Sequence, residues 1–213
     1  NLFATMHVID KKNQLDAVGE RLVNEFKKIH EGDDIAESNP VSKQNGETLQ
    51  LRNTYVENLL DDEVQQILEH YNFYENSRFK SGTGLDSELL VNETEEFIKD
   101  TATGLMWQQG GSEIPENLEK GLIYIDHLNA NNYLGYNDWR LPTLEEAFSL
   151  LTPARTNKRY MHPIFNKKVT PIWTGDFGEP GKAWQIDFVN AFCAPNKIKG
   201  FWSVSYVKAV RED

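Results

Sequence analysis

Two groups of residues in this chain could do chemistry. The first is the stretch NDWRLPT at 137–143, with the Leu-Glu-Glu that follows it. Asp138 and Arg140 flank Trp139, and Glu145 stands beside Glu146. Paired carboxylates, Glu145 with Glu146 or Asp138 with Asp126, are the raw material of general acid–base catalysis. Their spacing points elsewhere. Thr143 followed three residues later by Glu146 is a capping box, in which two side chains satisfy the free N–H groups at a helix start. Pro142 holds Leu141 extended and keeps the helix from starting sooner. Trp139 and Leu141 alternate as core residues do, which leaves Asp138 and Arg140 to tie the joint together. On these grounds 137–143 is a strand-to-helix joint and not a reaction centre.

The rest of the chain offers catalysis little. His7, His30, His70, His127 and His162 are scattered, without HExxH or another paired spacing. There is no phosphate-binding glycine loop and no GxSxG. Cys193 is the single cysteine, so no intramolecular disulfide, CxxC zinc site or two-thiol chemistry is open to the chain. The segments IPEN, GEPGK and CAPNK lack the order of carboxylate, proline and amide that a sugar-binding calcium loop requires. The expectation is a non-enzyme with no catalytic residues, no cofactor and no metal ligands.

The second group is cationic. Residues 147–211 carry ten bases against three acids, a net of +7, in a chain whose net charge is -11. Arg155, Lys158 and Arg159 cluster beside Tyr160, Lys167 and Lys168 follow, and Lys197 and Lys199 lie further on. A solvated basic face is the plain alternative. The sharper expectation is an anion-binding surface whose hold weakens as salt rises. The acidic total argues against nucleic acid as partner. No apolar run approaches the roughly 20 residues of a membrane span. The ligand is then an anionic molecule or a protein, and the resemblance described below implies a glycan as the first of these. Trp173, Trp184, Phe192, Phe201, Trp202 and Tyr206 are mostly core, with one or two left exposed for recognition.

The elements that must position these groups follow from periodicity. Apolar residues three and four apart predict helices over 13–30 and 56–71, joined by a polar connection at 31–47. Residues 1–88 therefore read as a helical accessory segment that packs on the following domain, on a second copy, or on a partner. Short strands flank a turn at 100–104, a helix opens at Pro115, and a second helix runs over 144–151. Residues 152–168 read as irregular. Strand-like runs at 170–177, 182–190 and 201–210, punctuated by Gly and Pro, predict an antiparallel meander. The class is α+β, arranged like a C-type lectin, with two helices flanking a small twisted antiparallel sheet in residues 89–213.

The pieces DTATGLMWQ, YLGYNDWRLPTLEEAFSLL, PIFN, PIWTGDF, AWQIDFVNA and YVKAVRED occur in this order over about the last 120 residues. In that order they resemble the Lcl C-terminal domain family, named after a bacterial collagen-like adhesin. The resemblance implies a lectin-like fold, found on secreted or surface proteins and as an appendage of larger bacterial or phage proteins. It also implies ligand recognition, of sulfated glycosaminoglycans in the adhesin, and carries no catalytic motif. Many members have paired cysteines; here Ile125, Asp126 and His127 occupy the first of those regions and Cys193 stands alone.

Overall fold

The computed structural model describes residues 48–213, except 92, 93, 95, 167 and 201. The helix expected at 13–30 and the connection at 31–47 lie outside the described residues. In chain order the elements are α1 (Asp61–Tyr71), β1 (Leu89–Val91), β2 (Phe97–Asp100), β3 (Leu105–Gln108) and α2 (Leu118–Ala130). They continue as α3 (Leu144–Ser149), β4 (Leu151–Thr156), β5 (Arg159–Met161), β6 (Ile172–Phe177), β7 (Lys182–Asp187), β8 (Phe192–Lys197) and β9 (Val210–Glu212). A single 3-10 turn, Tyr133–Gly135, lies between α2 and α3.

Helix α1 begins later than its periodicity suggests. Val56 and Leu59 exchange backbone hydrogen bonds with Phe177, at 2.8 and 2.9 Å, and those bonds hold 56–59 against β6. The Glu63 carboxylate then accepts the Leu60 N–H at 2.7 Å to open the helix. Asp61 and Asp62 place negative charge in its first turn, where the helix dipole favours it. Val64, Ile67 and Leu68 form its buried face, and Asn72 ends it in the left-handed region at φ 54°. That face enters one apolar cluster with Trp107, Phe148 and Trp184. The buried face of this helix thus packs on the rest of its own chain.

The first sheet has the order β1-β2-β3-β9, antiparallel throughout, so the last strand of the chain pairs with β3. The turn between β2 and β3 is built as its residues suggest. The Asp100 carboxylate accepts the Ala102 N–H at 2.9 Å, and Gly104 reverses the chain at φ 70°. Helix α2 is capped by the Asn117 side chain, which accepts the Lys120 N–H at 3.0 Å. At its centre Gly121 lets the helix close on the core, since a Cβ there would meet Val207 at 3.1 Å.

The second sheet is β6-β7-β8, and β4-β5 forms a separate hairpin. Both depart from the sequence reading. The third strand of the meander is β8, whereas 201–210 supplies isolated bridges at Ser205 and Tyr206 and then enters β9. Pro195 and Asn196 look like turn residues. Because β8 is an edge strand, the N–H that Pro195 lacks is not needed for a further pairing. The segment read as irregular at 152–168 opens with the hairpin, turned by Asn157 and Lys158 at φ 52° and 65°. Two residues with positive φ between paired Thr156 and Arg159 make a tight turn whose twist suits the strands.

The class is α+β, with small antiparallel sheets and few helices. Trp107, Trp139, Trp173 and Trp184 are at most 1% exposed and anchor two apolar clusters. Asn129 of α2 clamps Trp139 by accepting its N–H and donating to its carbonyl, each at 2.8 Å. Among the described residues no helix is long and apolar enough to cross a membrane.

Candidate functional site

The two groups that opened the sequence question have opposite fates. The carboxylates of α3 are buried and engaged. Glu146 accepts the Thr143 N–H at 2.8 Å, completing the capping box, and takes both arms of Arg140 at 2.6 and 2.7 Å. Glu145 pairs with Arg52 at 3.1 Å and accepts the Arg52 N–H at 2.9 Å. Arg52 also grips Asp176 through two bonds of 2.8 and 2.9 Å. Asp176 in turn accepts the Val56 N–H at 2.8 Å and the Leu144 N–H at 2.6 Å. Burial by itself would draw the Arg52 and Arg140 guanidiniums toward the neutral form. The adjoining carboxylates outweigh it and hold both charged. Every one of these carboxylate oxygens is committed to an N–H donor, so this is a device for joining segments. Asp138 likewise holds Arg211, at 2.7 and 3.1 Å.

Other reactive groups are committed to the fold as well. Cys193 is 1% exposed, and burial raises its thiol well above the ordinary range, against nucleophilic use. The His162 ring accepts the Ile164 N–H at 3.2 Å and shapes its own turn. Among the described residues no three His, Cys, Asp or Glu side chains gather as a metal-holding group.

The cations are divided between two roles. Arg52, Arg78, Arg140 and Arg211 each hold a carboxylate. Lys208 is fully buried and donates to the carbonyls of Gln108, Gln109 and Gly110 at 3.2, 3.0 and 2.6 Å, over the Phe165 ring. So the +7 of residues 147–211 overstates the surface charge, since Lys208 and Arg211 serve the fold. Arg155, Lys158 and Lys168 are exposed and make no ion pair among the described residues. Arg155 lies 5.7 Å over the Tyr160 ring, and Tyr160 stacks on Tyr74 at 5.8 Å. Half-buried Arg159 donates to the Lys158 carbonyl at 3.0 Å.

Backbone bonds gather this group at one end of the second sheet. The Tyr160 N–H reaches the Phe188 carbonyl at 2.7 Å, and the Phe188 N–H reaches the Thr170 hydroxyl at 2.9 Å. The hairpin and Lys168 therefore flank the turn after β7. Lys167 lies outside the described residues. Lys197 and Lys199 are not part of this group. Lys197 stands opposite Lys182 at the other end of the β7-β8 ladder, five rungs from Asp187 and Phe192, or about 17 Å at the rise of a strand.

The model of the Lcl C-terminal domain family matches residues 96–211. The chain belongs to this family. No curated protein and no solved structure matches it. The match begins after α1, yet residues 48–88 are built into the Lcl C-terminal domain. Arg52 neutralises Glu145 and Asp176 inside the matched region, and the Tyr55 hydroxyl donates to the Leu141 carbonyl at 2.7 Å. Sequence reasoning missed Arg52, Asp176 and Tyr74, which partner residues more than 80 positions away and carry no local signal. It also passed over Lys182, because the strand facing it was read as a gap.

Proposed function

We propose that this Lcl C-terminal domain is a non-catalytic recognition module for an anionic ligand, an anionic glycan in the first instance, held on a C-type-lectin-like fold. What carries this reading is the sorting of the cations. Arg155, Lys158 and Lys168 are left exposed and make no ion pair among the described residues, at one end of one sheet, while Arg52, Arg78, Arg140 and Arg211 are tied to carboxylates. Arg159 and Tyr160 complete the surface, and Tyr160 with Tyr74 gives it a stiff aromatic base. Lys158 adds a further mark of use. It is held at φ 65° in a turn position that glycine would occupy at less cost. The saturated carboxylates around Arg52 and Arg140 support the absence of catalysis.

Retention on a heparin resin tests the proposal. The wild-type domain is retained at low salt and released as salt rises, because cations on the surface are screened. The triple variant Arg155→Ala, Lys158→Gly, Lys168→Ala elutes earlier. Passage of the wild type straight through at low salt sinks the proposal. An acidic protein surface is the second reading, favoured by the same hairpin, and polyglutamate binding tighter than heparin oligosaccharides would select it.

A further inference from the structure

We infer that Trp202, with Lys182 and Lys197, forms a second ligand contact, in which the indole stacks on a sugar ring while the lysines take its anionic groups. The inference rests on the anionic-glycan reading above and adds a site remote from the hairpin. Its first ground is Trp202 itself, 86% exposed in a protein whose other four tryptophans are at most 1% exposed. A large flat apolar surface turned to solvent is the usual mark of a contact surface.

The second ground is charge. Lys182 and Lys197 are direct cross-strand partners, an arrangement that opposes strand pairing unless something negative lies nearby. Glu179 answers Lys182 at 2.7 Å but is itself 69% exposed, and Lys197 has no ion pair among the described residues.

The third ground is that the loop is held at both ends. The Ile198 N–H bonds the Gly181 carbonyl at 3.0 Å, and the Ser203 N–H bonds the Gly200 carbonyl at 3.2 Å. Ser205 and Glu116 exchange two backbone bonds of 3.0 and 2.9 Å. Trp202 is thus followed directly by anchored backbone, which lowers the ordering cost of binding. Indole plus cations suits a saccharide bearing sulfate or carboxylate groups better than an acidic peptide, which would use the lysines alone. With the hairpin about 17 Å away along the β7-β8 ladder, a ligand chain reaching both ends gains by effective concentration.

Acrylamide quenching of tryptophan fluorescence, on the full chain, reads this site directly because Trp202 is the exposed indole. A saturating heparin dodecasaccharide should cut quenching severalfold, and polyglutamate of equal charge should protect far less. Trp202→Ala should keep the wild-type circular dichroism and bind the dodecasaccharide about tenfold more weakly, the scale of a ring stacked on an aromatic side chain. Undiminished quenching of the saturated complex, or full affinity in Trp202→Ala, overturns the second contact and leaves the hairpin proposal standing. Equal protection by polyglutamate overturns the sugar stacking. A wild type that binds no heparin at low salt removes both.

Discussion

Arg52→Met is the substitution that most directly tests how this domain is put together. It keeps much of the side chain's bulk and removes its charge. The side chains of Arg52, Glu145 and Asp176 are 14%, 4% and 0% exposed, so the two acids would be left in the interior without their cation. Removing one partner of a buried pair costs about 3–5 kcal/mol. The N–H groups of Arg52, Val56 and Leu144 still bond the two carboxylates, which places the loss near the lower end, about 3 kcal/mol. At about 2–4 °C per kcal/mol for a domain of this size, Tm falls by about 6–12 °C. Circular dichroism melts of wild type, Arg52→Met and Arg155→Met would measure it. Arg155 is exposed and outside any buried network, so its variant stays within about 2 °C of wild type, as surface changes of about 0.5 kcal/mol do. An Arg52→Met protein that melts with the wild type would refute the reasoning. Residues 48–95 would then be an appendage to a self-sufficient 96–211 and not part of its core.

Three further outcomes follow from particular contacts. Lys158→Gly relieves a left-handed lysine worth about 1 kcal/mol of strain and loosens the unfolded chain by a similar amount, so urea stability stays within about 1 kcal/mol while heparin elution moves to lower salt; unchanged elution would take Lys158 out of the site. Gly175→Ala puts a Cβ 1.9 Å from the Tyr55 ring, which is fixed by its bond to Leu141, so urea unfolding should show a loss of about 1–3 kcal/mol, and a wild-type midpoint would show that the ring can retreat. Burial draws Lys208 down from 10.5 to about 7. Between those values the unfolded chain binds the proton that the folded one sheds, so the lysine's contribution to stability rises with pH. The wild-type advantage over Lys208→Met should therefore grow from pH 7 to 9 by up to about 1.4 kcal/mol per pH unit, and parallel pH profiles would show that the three carbonyls keep the ammonium charged throughout.

What the sequence determined by itself is local. Thr143 and Glu146 sit one helical turn apart, and Pro142 and Asn117 act on their neighbours, so helix starts and the α+β order could be read from types and spacing alone. The run at 137–143 was legible as a joint for the same reason, and the cation cluster at 155–160 stood out as charge. Tertiary structure decided everything that depends on who faces whom. Pro195 looks like a strand breaker until β8 is seen to be an edge, where one missing N–H breaks no pairing. Lys208 and Lys158 cannot be told apart by composition; only the fold sends Lys208 inward to three carbonyls and leaves Lys158 at a hairpin tip. Lys197 and Lys199 read as part of the hairpin's patch, yet strand pairing carries them to the far end of the sheet. Arg52 reaches Asp176 across 124 positions. Such pairs are chosen by burial and Coulomb attraction in the assembled core, and those forces act through space, without regard to distance along the chain.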